Sequence, residues 1–399
     1  MNTKLIGAAL FAFTAAAVAF YPTHQAPAVA VPKVQFVPHR TPDARPRIDV
    51  VFVLDTTGSM SGLIDAAKTK IWSIATSMAQ ANPAPEIRIG LVAYRDRGDD
   101  YVTRIVDLSS DLDSVYAKLM DFQAGGGGDG PESVNQALNE AVNKLAWSAD
   151  QGTYKVAFLV GDAPPHMDYD NDVKYPATLA LAKQKGIVVN TIQCGAEQDT
   201  TPEWRNIAAL AGGEYFMVEQ NGSAVAIATP FDEKIAHLSA KLDATRLYYG
   251  SAEKQAEKAA KLAATEKLHA AAPAAALAGR AAFNVSASGA SNLTGDHDLL
   301  EDVKADRVDL KAIPKAELPA TLQRLAPAER EKAVKDQSAA RDELKKEIAS
   351  LAEQRAGYLH EQVAAKGGAA ASLDDKLFGT VRAQAKEKGI AYPAAAPKY

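Results

Sequence analysis

The sequence predicts an α/β fold: a doubly wound, mostly parallel sheet followed by an α-helical C-terminal region. Three observations predict it. Short apolar runs alternate with stretches of helical length from Ile48 to Leu238. Beyond Ala240 the composition turns to Ala, Lys and Glu. The apolar run Val50–Leu54 ends abruptly at Asp55, on a loop at the carboxyl end of a buried strand, where open α/β sheets carry their ligands.

The elements follow in order. Residues 1–30 carry Lys4 and an apolar run from Leu5 to Phe20, which reads as a secretory signal or an uncleaved N-terminal anchor. Residues 31–47 are a Pro/Ala-rich linker without apolar period. The first domain is expected over 48–240, with strands at Val50–Leu54, Ile87–Tyr94, Val156–Val160, Ile187–Ile192 and Glu214–Val218, and an edge strand at Tyr101–Val106. Helical patterns fall at Leu63–Ala81, Leu112–Phe122, Glu132–Leu145, Val173–Lys185, Pro202–Leu210 and Ser223–Leu238. Over 241–399 the chain is helical, with Lys241–Leu277 helix-prone, a Ser/Gly/Asn-rich break at Ala282–Gly295, and helices at Pro327–Ala365 and Asp374–Lys388. Arg355 interrupts the apolar seam of the long helix, which argues against a coiled coil and for a helical hairpin packed on itself or on the first domain.

Composition narrows the function. The net charge of −5 hides an asymmetry, because residues 48–230 hold 13 basic and 24 acidic side chains. An acidic domain excludes nucleic acid as its partner and suits one that concentrates cations. Cys194 is the only cysteine, so an intramolecular disulfide and a multi-thiolate metal site are both excluded. At the end of an apolar run it reads as a buried, inert thiol.

Asp55, Thr57 and Ser59 stand at two-residue steps and offer oxygen alone. That donor chemistry suits one hard divalent cation, Mg²⁺ first, with Mn²⁺ or Ca²⁺ as alternatives. A second aspartate, Asp162, follows the buried strand in Phe158-Leu-Val-Gly-Asp-Ala-Pro-Pro-His166. These two loops resemble the von Willebrand factor type A domain and its metal-ion-dependent adhesion site, whose first loop is D-x-[ST]-x-S and stands here as Asp55-Thr56-Thr57-Gly58-Ser59. The segment Ala93–Leu138 is similar to one branch of that family, with a tyrosine-arginine-aspartate after the second strand and a GGGD-x-PE loop before a helix. With the alanine-rich leader, the resemblance implies the bacterial exported type, in the periplasm, the cell envelope or secreted.

The resemblance implies a Rossmann-like sheet and metal ligands Asp55, Thr57, Ser59 and Asp162. Many members use a threonine hydroxyl from the second loop; here the candidates are Asp129 and, second to it, Ser133. Asp129 could instead cap the helix. Pro131 suits its first position and Glu132 its first turn. Three carboxylates, from Asp55, Asp129 and Asp162, would overcompensate a divalent ion and weaken its attraction for an acidic ligand. The family's ion keeps an open position that a partner's Asp or Glu fills, so the expected partner is a protein offering a carboxylate. Membrane contact is expected only through an uncleaved N-terminal segment.

Other signals resolve to structure. Asp168, Asp170 and Asp172 mimic a calcium loop, but Val173 stands where glycine is required, so they read as an acidic rim with His166 beside the metal mouth. Arg95 and Asp96 are expected to pair and fix a turn, and Arg97-Gly98-Asp99 is read as a chance adhesion tripeptide. An aspartic protease is excluded by the extra threonine after Asp55, and a haloacid dehalogenase-type phosphatase by Thr57 where its second aspartate would stand. The sequence therefore predicts a non-enzymatic, cation-dependent binding or adhesion module. The alternatives are a scaffold whose ion only stabilises the fold while the helical region makes the contacts, and a divergent metal-dependent hydrolase.

Overall fold

The computed structural model describes residues 45–128, 130–220, 227–365 and 373–392; the expected leader and the expected linker up to residue 44 lie outside them, and Arg47, the linker's expected last residue, opens the first strand. The alternating runs become β1 (Arg47–Asp55), α1 (Ser61–Met78), β2 (Glu86–Tyr94), β3 (Thr103–Ser109), α2 (Leu112–Leu119), α3 (Val134–Asn143), β4 (Tyr154–Gly161), α4 (Tyr175–Gln184), β5 (Ile187–Cys194), α5 (Thr200–Leu210), β6 (Tyr215–Val218) and α6 (Asp232–Asp243). They form one six-stranded sheet of order β3-β2-β1-β4-β5-β6. Only β3, the edge strand, runs antiparallel to its neighbour; every other pairing is parallel.

Side-chain alternation along β1 explains its burial on both faces. Val50, Phe52 and Leu54 enter one core beneath α1 and α2, while Val51 and Val53 enter the other beneath α3, α4 and α5. The strand order reverses between β1 and β4, which leaves a crevice at their carboxyl ends. Asp55 closes β1 and Asp162 directly follows β4, so the two carboxylates flank that crevice.

Beyond α6 the helices longer than one turn are α7 (Ala252–Ala271), α8 (Ala274–Asn284), α9 (Leu299–Lys304), α10 (Pro327–Ala365) and α11 (Leu373–Lys386), with single helical turns at Ala290–Leu293 and Ala320–Gln323. The helix-prone stretch Lys241–Leu277 is broken twice. Residues 244–251 leave the helix before Ser251 caps α7 by accepting from Lys254 N at 3.4 Å, and Pro273 then separates α7 from α8. The last strand-to-helix connection also differs from expectation: α6 begins at Asp232, and the expected helix start at Ser223 lies outside the described residues.

These helices share the first domain's core. Leu268, Leu277 and Phe283, with Leu377, Val381 and Ile390, join the face that holds Trp72 and Tyr116. Trp72 meets Tyr116 edge-on at 5.5 Å between ring centroids and Phe283 at 6.1 Å. A buried ionic cluster fastens the same junction. The Arg280 guanidinium of α8, fully buried, lies between Asp113 of α2 and Asp243 of α6. Among the described residues no helix is long and apolar enough to cross a membrane.

Cys194, at the end of β5, is buried. Burial pushes its thiol up, and the nearby Asp162 and Asp55 charges add to the effect. A thiol reagent is expected to leave the folded chain unmodified and to titrate the single cysteine only in denaturant. Rapid labelling of the folded chain would overturn this placement.

Candidate metal centre

The chain leaves β1 through a single 3-10 turn, Gly58–Met60, before α1 begins. That turn folds the Thr57 backbone and side chain back onto Asp55. Asp55 Oδ1 accepts from Thr57 N at 2.9 Å and from Thr57 Oγ1 at 2.7 Å, and Thr57 Oγ1 lies 3.3 Å from Ser59 Oγ. Asp55 is wholly buried, and its Oδ2 meets no hydrogen-bond partner among the described residues. Burial drives the Asp55 carboxyl up to about 7, against the lowering effect of the Thr57 hydrogen bonds; the Asp162 charge raises it further, while the Asp162 backbone N–H lowers it.

An unsatisfied buried carboxylate oxygen is costly unless something completes it. The Thr57 hydroxyl spends its proton on Asp55, which leaves oxygen lone pairs free to meet a cation. Oxygen donors around an orphaned carboxylate therefore fit a hard divalent ion. Gly161 keeps the crevice open, because a Cβ there would lie 2.5 Å from the Tyr94 hydroxyl and 3.0 Å from Asp55 Oδ2.

Asp162 is only partly buried; its Oδ2 accepts from Gln220 Nε2 at 2.6 Å and its carbonyl from Thr200 Oγ1 at 2.9 Å. Ser59 is exposed and Thr57 nearly buried, so the three hydroxyl and carboxylate positions run from the surface to the sheet. Of the second-loop candidates, Asp129 lies outside the described residues. Ser133 is buried, and its hydroxyl donates to Asp96 Oδ1 at 2.8 Å.

The loop before α3 departs from expectation. The helix begins at Val134, so Pro131 and Glu132 precede it instead of forming its first turn. Glu132 is pinned by its backbone: its N–H donates to the Pro164 carbonyl at 2.9 Å, and its own carbonyl accepts from His166 N at 3.0 Å. This short bridge to the loop after β4 buries the Glu132 side chain to 4% exposure. Its Oε2 has no hydrogen-bond partner among the described residues. Desolvation raises its carboxyl to about 9, and the charges of Asp55, Asp96, Asp99 and Asp162 push the same way. Sequence reasoning assigned Glu132 only to a helix dipole. The signal available was its position in the loop that opens with Gly125–Gly128, a glycine run that lets another strand's loop come close.

The surrounding loops are tied by polar bonds. Arg95 does not pair with Asp96; its guanidinium holds the Thr56 carbonyl at 3.1 Å and the Gln123 carbonyl at 2.8 Å, joining the first loop to the glycine loop. Asp96 instead takes the Ser133 and Tyr169 hydroxyls. Asp99, the third residue of the adhesion-like tripeptide, accepts from Gly127 N at 3.1 Å. Gly126 could carry no side chain there, since its φ is +75° and a Cβ would sit 2.2 Å from Asp99 Oδ1.

Of the rim residues, Asp168 and Asp170 are exposed, whereas His166 is buried, stacked on Tyr169 at 4.0 Å and 2.8 Å from Asp168 Oδ1 through Nδ1. The hydrogen bond from His166 holds the Asp168 carboxyl below its usual range. Asp172 is not a solvated member of this rim, because Arg97 pairs with it and only 5% of its side chain is exposed.

The sequence profile described as the von Willebrand factor A domain matches residues 49–220. Von Willebrand factor A domain-containing protein 7 of Rattus norvegicus is 39% identical over 100 residues, 25% of this chain and 11% of that protein. The protein of the same name from Homo sapiens is 36% identical over 100 residues with the same coverage. Alpha-protein kinase vwkA of Dictyostelium discoideum is 25% identical over 129 residues, 30% of this chain and 19% of that protein. The chain thus spans between 11% and 19% of the length of these relatives. Among solved structures, the SpRpn10 VWA domain covers 44% of this chain and 89% of its own, at a TM-score of 0.34 and 13% identity.

Proposed function

We propose that the von Willebrand factor A domain at residues 49–220 is a divalent-cation-dependent binding module. In this reading it captures an acidic group of a protein or other carboxylate-bearing ligand and performs no catalysis. One observation carries the reading: the fully buried Asp55 Oδ2 has no hydrogen-bond partner among the described residues, and the Thr57 hydroxyl, itself 3.3 Å from the Ser59 hydroxyl, bonds that carboxylate at the switch point of the sheet. Asp55, Thr57, Ser59 and Asp162 would hold the ion, Mg²⁺ first and Mn²⁺ or Ca²⁺ as alternatives. The ion would supply a positive centre at the crevice mouth, and the exposed Ser59 side would face the partner. In the same reading the chain is exported, and it works in the periplasm, in the cell envelope or outside the cell.

The test is a calorimetric titration of Mg²⁺, Mn²⁺ and Ca²⁺ into the chelator-treated full chain, beside its Asp55→Ala variant. The full chain is needed because α8 and α11 complete the core beneath α1. Saturable one-to-one binding is expected, and the variant is expected to lose it while keeping its circular dichroism spectrum. If the folded wild-type chain takes up none of the three ions, the proposal fails.

A further inference from the structure

We infer that the Gln220 side-chain amide is an internal competitor for the cation: it holds the Asp162 carboxylate until an ion draws that carboxylate away. The inference rests on the cation-binding reading above and names a residue that sets the ion's affinity. Three observations support it.

First, Gln220 reaches both loops that the ion would join. It stands two residues beyond β6, and its Nε2 donates to Asp162 Oδ2 at 2.6 Å and to the Ser59 carbonyl at 3.4 Å. Both neighbours only accept, so the nitrogen end of the amide is the end that faces them. A donor thus meets the same Asp162 carboxylate that the cation would take. Second, the backbone is shaped to admit this amide. Gly195, directly after β5, has a φ of +75°, and a Cβ there would lie 2.3 Å from Gln220 Oε1. Gly195 N also donates to the Val218 carbonyl at 2.9 Å, which ties the bend after β5 to the end of β6, just before Gln220. Third, the two acids have separate partners. Asp55 is bonded to Thr57 and Asp162 to Gln220, and among the described residues no group of three or more His, Cys, Asp or Glu side chains is placed to hold a metal ion.

The competition is reversible. Gln220 is exposed, so water competes for its amide, and a divalent charge beside a carboxylate outweighs one amide dipole. The apparent affinity for the ion is then the intrinsic one reduced by the fraction of molecules in which Asp162 is released. Gln220 leaves as the ion arrives, so the exposed Ser59 side stays open to an outside carboxylate.

The test is a calorimetric titration of Mg²⁺, Mn²⁺ and Ca²⁺ into the chelator-treated full chain and its Gln220→Ala and Gln220→Met variants, each checked for folding by its urea midpoint. Methionine keeps the length of the side chain and lacks the amide. Both variants are expected to bind the ion about tenfold more tightly than wild type, the change that losing one competing hydrogen bond to a charged group makes. Their urea midpoints are expected to match that of wild type. Unchanged or weaker affinity in the folded variants, or tightening in Gln220→Ala alone, would overturn the inference and leave the cation-binding reading standing. Uptake of none of the three ions by wild type and both variants would overturn that reading itself.

Discussion

Arg280→Ala is expected to destabilise the folded chain by about 3–5 kcal/mol, the range for removing one partner of a buried ion pair. Arg280 is fully buried and holds two carboxylates at once. Its Nε donates to Asp113 Oδ1 at 2.7 Å, its Nη1 to Asp243 Oδ2 at 2.7 Å and its Nη2 to Asp243 Oδ1 at 3.0 Å. The three residues come from α8, α2 and α6, so the guanidinium joins the helical region to the sheet's helical layer. Truncation would leave two buried acids facing each other, with Thr265, Asn292 and His269 as remaining donors and Arg246 and Lys261 as the nearest cations. Arg280→Lys is expected to recover only part of the loss, because an ammonium keeps the charge but not the planar fork. Urea unfolding at pH 7 measures both, and a deficit below about 1 kcal/mol would show that this cluster does not hold the junction.

The sign of the pH dependence separates this mechanism from simple loss of packing. Desolvation alone would raise the Asp113 carboxyl, but the Arg280 charge and hydrogen bonds outweigh it and hold it well below the usual carboxylate range. Asp243 is lowered too: desolvation opposes, and the Arg280 charge prevails with help from His269 and Arg246. In the wild-type chain this stabilisation is fully present above the unfolded carboxylate value of about 3.9 and is lost as pH falls through the lowered folded values. Without Arg280, burial should win and raise both acids. The deficit of Arg280→Ala is then greatest near neutrality and shrinks on acidification, since the buried acids can take up protons. A deficit that stays constant from pH 7 to pH 4 would assign the loss to packing alone.

The sheet was legible because β1, β2, β4 and β5 are buried on both faces and read as continuous apolar runs, with Asp55 marking where β1 ends. The first loop of the candidate centre, Asp55 to Ser59, was legible because its oxygens are adjacent in sequence. Glu132 was not, because what removes it from solvent is a two-bond bridge to Pro164 and His166 on another loop, more than thirty residues along the chain. The helical half hid its packing for a related reason. Val334, Arg341, Ile348 and Arg355 recur at seven-residue spacing along α10, and all four are buried. Read as a hydrophobic pattern, an arginine interrupts such a seam. In the structure the seam is continuous, because Arg355 reaches Asp232 at 2.7 Å and Arg341 reaches Asp298 at 2.7 Å. Periodicity registers the charge but not the distant acid that neutralises it.

Arg341 and Asp298 are therefore expected to behave as one unit, and Arg341→Met to cost about 3–5 kcal/mol when made alone. Arg341 is 1% exposed and Asp298 likewise, so solvent screening does little for either charge. The guanidinium donates to Asp298 Oδ1 at 2.7 Å and Oδ2 at 2.9 Å, to Thr245 Oγ1 at 2.8 Å and to the Thr245 carbonyl at 2.8 Å. It thereby ties α10 to the turn after α6 and to the start of α9. Asp298 has a second duty, accepting from Glu301 N at 3.1 Å as the cap of α9. Methionine fills a similar volume on the apolar seam between Val334 and Ile348 but strands the Asp298 anion. Adding Asp298→Asn removes that anion while an amide oxygen can still cap the helix. The double variant is thus expected to be more stable than the sum of the two single losses implies, by about 0.5–3 kcal/mol. A double-mutant cycle by urea unfolding measures the coupling, and additivity within about 0.3 kcal/mol would mean the two groups act independently. Strong coupling would locate the hold on α10 in one buried pair, with the aliphatic seam supplying shape around it.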